Sequence, residues 1–597
     1  MPKTLEEIEN IPHADASDKE IEELLKRLKV FKEDEFADLL HQCHNVIRNR
    51  EKKDPAAAFD EIAKILFVKV WVERRMREKR QRQNLFTVEF LDSQLGENPI
   101  DTLFIETKNF YRVDQIFEPD EKVNLKLATV REIVRLLERY NLSDTSEDIK
   151  GIAFERFLGR TFRGEIGQFF TPRSIVEFMV QMVEPKEGDI ICDPASGSGG
   201  FLIRFFEIVR EQVMVDVDQQ YREFKQELEK KRLSNGKRAQ LLSEKYEELQ
   251  KTISLHRKGS RIWNLANRCI FGCDANDRMA RTSKMNMIMH GDGHGGVHHH
   301  DGFINVNGIF EERFDVVLTN PPFGANVEES DVILESDLTV SDDIEDRYRR
   351  EYGDLYREAV ERVKAAKGRP ITSLFELPKK SGRIKTEILF VERCLTLLKP
   401  GGRLGIVLPE GIYNNPSLAY VREYVEDRAF IRAVVSLPQE TFYSAGASVK
   451  ASLLFLQKFT EEEKEEFDRK SQEARSEIEA KYKGEMDASI ATFQAEMEAT
   501  KKDKKRRAEL VKALKDYRRE MEAKIVREAR ALLKERFAYP VFLYEAEKVG
   551  ITATGEADQN ELYPNENVPP GVEKTAVELC REFRRNSRAF FQAGEAA

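Results

Sequence analysis

Apolar residues recur at three- and four-residue spacing through residues 18–83, as in DKEIEELLKRLKVF and FDEIAKILFVKVWVERRMREKR. That is the period of helices with one buried face. VREIVRLLERYNL repeats the pattern within 101–159, and after the polar break NLSDTSED another helix is predicted over DIKGIAFERFLGRTF. Residues 1–160 therefore read as one helical domain. From 165 the texture changes: DIICDPASGSGGFLIRFF reads as a strand, a Gly-rich turn and a helix. RCIFGCDAN and FDVVLTNPPFG are further strands with polar ends, and GGRLGIVLPEG, IRAVVSLP and VKASLLFLQK continue the series, with helices such as EILFVERCLTLL between them. Short β-rich runs alternating with helices predict a largely parallel, doubly wound α/β sheet over 161–458.

Three stretches break this rhythm. Residues 203–266 are mostly charged helix with Asn235-Gly236 near the middle, which predicts a helical hairpin. Residues 327–380 are acidic and then helical. Residues 459–537 hold one glycine, Gly484, and no proline. Their apolar positions are locally heptad-like (Met486, Ile490, Phe493, Met497, then Leu510, Leu514, Tyr517, Met521), so a coiled-coil arm is predicted, with the basic break at 501–507 as its tip. All three read as solvated helices or partner-binding arms, not as direct DNA contacts. The remainder, 538–597, is a mixed C-terminal segment.

Composition adds limits. A chain of 597 residues suggests several domains. The 97 basic and 107 acidic residues give a net charge of −10, which argues against unaided DNA binding but leaves room for a partner that supplies a basic surface. Cys43, Cys192, Cys269, Cys273, Cys394 and Cys580 form no CxxC pair and read as buried free thiols in a reducing compartment. No stretch approaches a membrane span and the N-terminus is polar, so a cytoplasmic protein is expected.

Four segments carry chemistry. Asp193-Pro-Ala-Ser196-Gly197-Ser198-Gly199-Gly200 follows a strand and opens a helix; such a turn brings backbone N–H groups to a ligand, and its leading acid suits an ammonium. The turn itself lacks the GxGxxG pattern of dinucleotide sites, and no GxxxxGK[ST] phosphate loop is present in the chain. Asp274 ends the second strand, a position suited to ribose hydroxyls, at the usual spacing once 203–266 is set aside. Asp292, in MNMIMHGDG, is read as the end of a third strand, able to accept from an adenine amino group. Asn320-Pro321-Pro322-Phe323 follows the strand FDVVLT and decides the reading. The prolines fix the backbone and leave carbonyls that no ladder claims. The Asn oxygen and a proline carbonyl can accept both hydrogens of an NH₂ group and free its lone pair for attack, while Phe323 stacks on a planar base. A base in a duplex has to be flipped out to reach such a site.

The order GQFFTPRSIVEFMV, DPASGSGGFL, strand-end acid, NPPF and KPGGRLGIVLPEG resembles amino-methyltransferases acting on adenine in DNA, in the gamma motif order. FRGEIGQFFTPR, KTEILFVERCLTLLKPGG and FYSAGASVKASLLFLQK are similar to the modification subunit of type I restriction–modification systems, over roughly 20–458. The resemblance implies a Rossmann-like methyltransferase domain using S-adenosylmethionine. Gln168, Phe169, Phe170, Thr171, Pro172 and Arg173 would embrace the methionine end of the cofactor. Asp193 and Ser196–Gly200 would line its turn, Asp274 would hold the ribose and Asp292 the adenine, and Asn320–Phe323 would hold the target base. It also implies double-stranded DNA, a separate specificity subunit, a restriction subunit that translocates and cuts, and two methylase subunits per hetero-oligomer. The large insert after the first motif and the long arm depart from the family pattern and put assembly geometry in question.

Two decoys and two rivals stand beside this reading. Asp101, Glu106 and Lys108 mimic a nuclease pattern but are spaced too closely. His294, His298, His299, His300 and Asp301 lie in a Gly-rich stretch without helical ligand spacing, which reads as a mobile loop near the site, not a metal centre. NPP-aromatic motifs also occur in methyltransferases of protein glutamine and of RNA bases, and a cofactor-binding scaffold without catalysis is the reading from another class.

Overall fold

Helix starts in the N-terminal region follow local chemistry. Helix α1 spans Glu33–Glu51 and α2 spans Pro55–Lys79. Pro55 occupies the first turn, where its missing N–H costs nothing, and Asp54 Oδ1 accepts from the Ala57 amide at 2.9 Å. Helices α3 (Ile100–Phe110) and α4 (Leu127–Leu137) close the layer, and Phe36, Leu40, Ile62, Leu66, Phe104 and Ile133 bury the apolar faces expected from their periodicity. The computed structural model describes residues 33–594 except 80–83, 95–97, 113–115, 118–119, 143–170, 256, 291–293, 306, 339–341, 378–382, 446–447 and 502. The helices expected before 33 and over 148–162 lie outside the described residues.

An eight-stranded sheet follows. In chain order its elements are α5 (Arg173–Val183), β1 (Ile191–Asp193), α6 (Gly200–Glu229), α7 (Asn235–Ile253), β2 (Ile270–Asp274), α8 (Asp277–Met289), β3 (Val297–His299) and β4 (Phe314–Thr319). Then come β5 (Asn326–Glu328), α9 (Asp342–Tyr352), α10 (Asp354–Ala365), β6 (Arg383–Lys385), α11 (Thr386–Leu397), β7 (Leu398–Pro409), α12 (Ala419–Glu426), β8 (Ala429–Ser436) and β9 (Ala451–Lys458). The strand order is β10-β8-β9-β7-β4-β1-β2-β3, with β10 spanning Phe542–Glu545. All neighbours are parallel except β9, which runs antiparallel between β7 and β8. β1 lies between β2 and β4, so the chain reverses its direction of travel across the sheet there. The crevice beyond the carboxyl ends of such strands is where doubly wound sheets bind ligands.

Several expectations change. The insert does not begin at 203: α6 runs unbroken for 30 residues from the glycine turn, and one face of its first half stays buried through Val217. Asn235-Gly236 opens α7, capped by Ser234, and the turn lies just before it. MNMIM is the end of α8, not a strand, and the third strand is VHH at the sheet edge; Asp292 lies outside the described residues. The histidine stretch is thus partly edge strand, because Gly296 packs directly on the Ile270 carbonyl, where no Cβ would fit. Residues 327–380 are not a solvated arm: β5 pairs with β6, and Tyr348, Tyr356 and Val363 of α9 and α10 are buried against the sheet.

The sheet also does not end at 458. After a helical hairpin of α13 (Glu461–Ala499) and α14 (Lys504–Arg536), β10 returns to pair with β8, and α15 (Ala576–Arg585) packs Val577, Cys580 and Phe583 into the sheet core. The first helix ends at Ala499 and the second begins at Lys504, and α13 is about 58 Å long at 1.5 Å per residue. All six cysteines are buried and unbridged. No described helix is long and apolar enough to cross a membrane.

Candidate active site

The glycine turn sits at the end of β1 because its backbone demands it. Gly197 and Gly199 have φ of +51° and +84°, and a Cβ on Gly199 would lie 2.6 Å from Ser283 Oγ. The turn is tied from below: Ser196 N donates to the Cys273 carbonyl at 2.9 Å, and Gly197 N to Asp274 Oδ2 at 3.0 Å. Asp274 Oδ1 accepts from Asn276 N at 2.8 Å. The acid expected to face ribose therefore also braces the turn, leaving one lone pair on each oxygen. Asp193, 1% exposed, closes the start of the turn by accepting from Ala195 N at 3.0 Å. Burial pushes its carboxyl up to about 7; Thr319 and the Ala195 amide work against that rise, and Asp274 adds to it.

The strand β4 delivers Asn320 to the same place. Asn320 Nδ2 donates to Thr171 Oγ1 at 3.0 Å, across 149 residues, while Asn320 Oδ1 is buried without a partner among the described residues. A buried amide oxygen without a donor is costly, so its retention points to a ligand donor. One cleft is lined by Thr171, Asp193, Ser196–Ser198, Gly200, Met279 and Asn320. The buried Asp193 carboxyl and the Ser196 hydroxyl suit a ligand bearing an ammonium and hydroxyls, the donor set that S-adenosylmethionine presents, and the Asn320 oxygen remains for a second donor at the edge of the same cleft.

Pro321 is buried, Pro322 exposed and Phe323 half-buried against the sheet core. The loop beyond them is clamped by a segment to which sequence reading gave no role. Glu387 Oε2 accepts from Gly324 N at 3.1 Å, Thr386 Oγ1 donates to the Ala325 carbonyl at 2.9 Å, and Lys385 Nζ to the Gly324 carbonyl at 2.5 Å.

Helix α8 was also missed. Asn286, fully buried, donates from Nδ2 to the Ser198 carbonyl at 3.0 Å, and Ser283 packs on Gly199. The opposite side of α8 buries Met285, Ile288 and Met289 in the N-terminal core, and Arg278 and Arg281 pair with Asp60 and Glu121 at 3.0 and 2.8 Å. The helical layer thus holds the turn through α8. Polar residues three apart in a helix otherwise rich in methionine were the available signal. Asn286→Ala is expected to weaken cofactor binding about 3- to 10-fold, the worth of one net hydrogen bond, in an equilibrium titration. Unchanged affinity would remove α8 from the site.

Pro172 and Arg173 start α5 beside the cleft, whereas Gln168, Phe169, Phe170 and Asp292 lie outside the described residues. The nuclease decoy dissolves: Asp101 accepts from Val123 N at 3.1 Å, Glu106 pairs with Arg75, and Lys108 donates to the Glu121 carbonyl at 2.7 Å. His298 is buried, contacting Asn307, and burial holds its pKa well below the usual range. His300 bonds the Asp301 and Asp337 carbonyls, and no metal-holding cluster exists among the described residues.

Comparison with known proteins finds a family model described as N-6 DNA methylase over residues 145–352 and 373–527. The chain is 26% identical over 292 residues to the EcoEI methylase subunit of a type I restriction enzyme from Escherichia coli, covering 48% of each chain. It is 22% identical over 428 residues to the EcoKI methylase subunit of Escherichia coli strain K12, covering 67% of this chain and 63% of that one. The matches thus span about half to just under two thirds of those relatives' length. Among solved structures, a type I restriction–modification methyltransferase subunit from Streptococcus thermophilus is 17% identical, with a TM-score of 0.41, covering 72% of this chain and 85% of that one.

Proposed function

The chain belongs to the N-6 DNA methylase family, and from that premise we propose that it methylates adenine N6 in DNA as the modification subunit of a type I restriction–modification complex. The observation that carries the reading is the unpartnered Asn320 oxygen in the same cleft as the Asp193 turn. Bound S-adenosylmethionine supplies an electrophilic sulfonium methyl. The chain's own part is to hold and polarise the acceptor. Thr171 anchors the Asn320 amide through its nitrogen, so its oxygen faces the cleft. That oxygen and the Pro321 carbonyl accept the two hydrogens of a flipped adenine amine, which raises the nitrogen's nucleophilicity. Phe323, pinned by the Glu387 clamp behind it, stacks on the base. The proton released after transfer leaves to solvent.

Double-stranded DNA and a separate specificity subunit complete this reading, with two methylase subunits and a restriction subunit in the larger assembly. Its support is the net charge of −10 and the return of 542–585 to the sheet, so that among the described residues after β9 it is the outer part of the long hairpin that stands away from the catalytic core. Tritiated-methyl transfer to unmodified DNA, with nucleoside analysis of the product, tests it. The family match also argues against the protein-glutamine, RNA-base and scaffold readings.

Asp193 makes cofactor binding pH-dependent. A cationic ammonium binds the ionised carboxylate, and in the free protein that form is complete only above about 7. Affinity is therefore full at high pH and falls about tenfold per unit below that point, so that binding at pH 6 is about tenfold weaker than at pH 8. Because the folded-state pKa is raised, the free fold loses stability as pH rises from the ordinary 3.8 to about 7, and the whole loss is present above about 7. Titrations of Asp193→Asn should show weak binding with no such slope; a slope that survives this substitution would place the titrating group elsewhere.

A further inference from the structure

Helix α5 begins at the cofactor cleft and ends, about 16 Å away at 1.5 Å per residue, at a second hollow of about 390 Å³. The hollow lies among the end of α5, strands β7, β8 and β9, and the end of α15. Phe455 and Phe583 give it an apolar side, Lys186, Arg403, Arg432 and Arg584 give it a cationic one, and the single lining carboxylate, Glu184, is paired with Arg584 and Arg581.

Two of these cations are committed. Arg403 donates to the Val183 and Glu184 carbonyls, both at 2.7 Å, and to Asp189 at 2.5 Å. Arg584 donates to the Met182 carbonyl at 2.9 Å and pairs with Glu184 at 3.3 Å. These contacts satisfy the open carbonyls at the end of α5. Arg432 is different. Its Nε donates to Gln457 Oε1 at 3.0 Å and its Cζ lies 4.4 Å from the centre of the Phe430 ring, but its two terminal nitrogens meet no acceptor among the described residues. Glu463 lies within electrostatic reach without forming an ion pair, and burial holds the Arg432 pKa below its ordinary value. Arg432 also occupies an irregularity in the ladder: the β8–β9 register shifts between Ile431 and Ala433. Such bulges re-aim a side chain, and here the residue that falls at the shift lines the hollow. Lys186, exposed on the rim, pairs with no carboxylate among the described residues.

Two uncompensated cations beside an apolar wall match a dianion carried on an apolar or planar body. The volume suits one small molecule. We propose that this hollow binds a phosphate monoester of mononucleotide size, its phosphate on Arg432 and Lys186 and its body against Phe455 and Phe583. The site is separate from the cofactor cleft and joined to it by α5.

The test is calorimetric titration of the full chain with AMP, while S-adenosylhomocysteine saturates the cofactor cleft. One-to-one binding is expected, at least tenfold weaker in Arg432→Gln, with inorganic phosphate binding less tightly than AMP. The melting midpoint and cofactor affinity of Arg432→Gln report whether it folds. AMP should also slow phenylglyoxal modification of Arg432 in the unaltered chain, mapped by mass spectrometry, which does not depend on any variant. Absence of saturable binding, binding that Arg432→Gln retains, or AMP displaced by further S-adenosylhomocysteine would overturn the proposal. Binding of a DNA oligonucleotide but not of AMP would overturn it in favour of a nucleic-acid backbone contact.

Discussion

Asn320→Ala is expected to lower methyl transfer by about 10²- to 10³-fold, the usual effect of deleting one preorganised hydrogen-bonding group aimed at a reacting centre. Cofactor affinity should change only several-fold, because the turn from Asp193 to Gly200 is braced by Cys273, Asp274 and Asn286 and not by Asn320. Alanine removes both the free oxygen and the anchor on Thr171. Asn320→Asp separates the two roles. It keeps an acceptor toward the amine and can take a hydrogen bond from the Thr171 hydroxyl, so it should retain more activity than alanine. Single-turnover rates at saturating DNA check both variants, and an Asn320→Ala enzyme within about threefold of wild type would remove Asn320 from the reaction.

Phe323→Ala carries the second large effect. Base–aromatic stacking contributes about 1–3 kcal/mol per base, so kcat/KM for DNA should fall about 10- to 100-fold. Phe323→Tyr or Trp should keep most of the activity. Phe323 is half-buried against the sheet, so a thermal melt belongs beside the kinetics. A loss with alanine that tyrosine and tryptophan do not restore would show that the ring fills space and does not hold a base.

What the sequence disclosed and what it hid follow from the range of the interactions. DPASGSGG and NPPF were legible because strand, glycine turn and proline punctuation act within a few residues. The bond that orients Asn320 was not, since Thr171 lies 149 positions away. Asp274 was correctly placed at a strand end, but its carboxylate is taken in part by Gly197, 77 residues earlier, so part of its role is structural. Strand β10 escaped notice because FLYE is short and follows a long charged helix; it is held by pairing with Ala433–Ser436, far upstream. The edge strand VHH looked like a loop because three residues give no alternation to read. The charged insert looked separate from the first motif helix because its exposed half is polar, yet α6 is one continuous rod. Ser283, Asn286 and Glu387 are polar residues buried by partners from other elements, and composition alone does not distinguish them from surface positions.

The most direct measurement is transfer of tritiated methyl from S-adenosylmethionine to DNA lacking the modification, by the full chain supplied with a specificity subunit, followed by nucleoside analysis. The account predicts label in N6-methyladenine, lost with Asn320→Ala. Label confined to protein or RNA, or DNA left unlabelled by a chain that binds the cofactor, would contradict it.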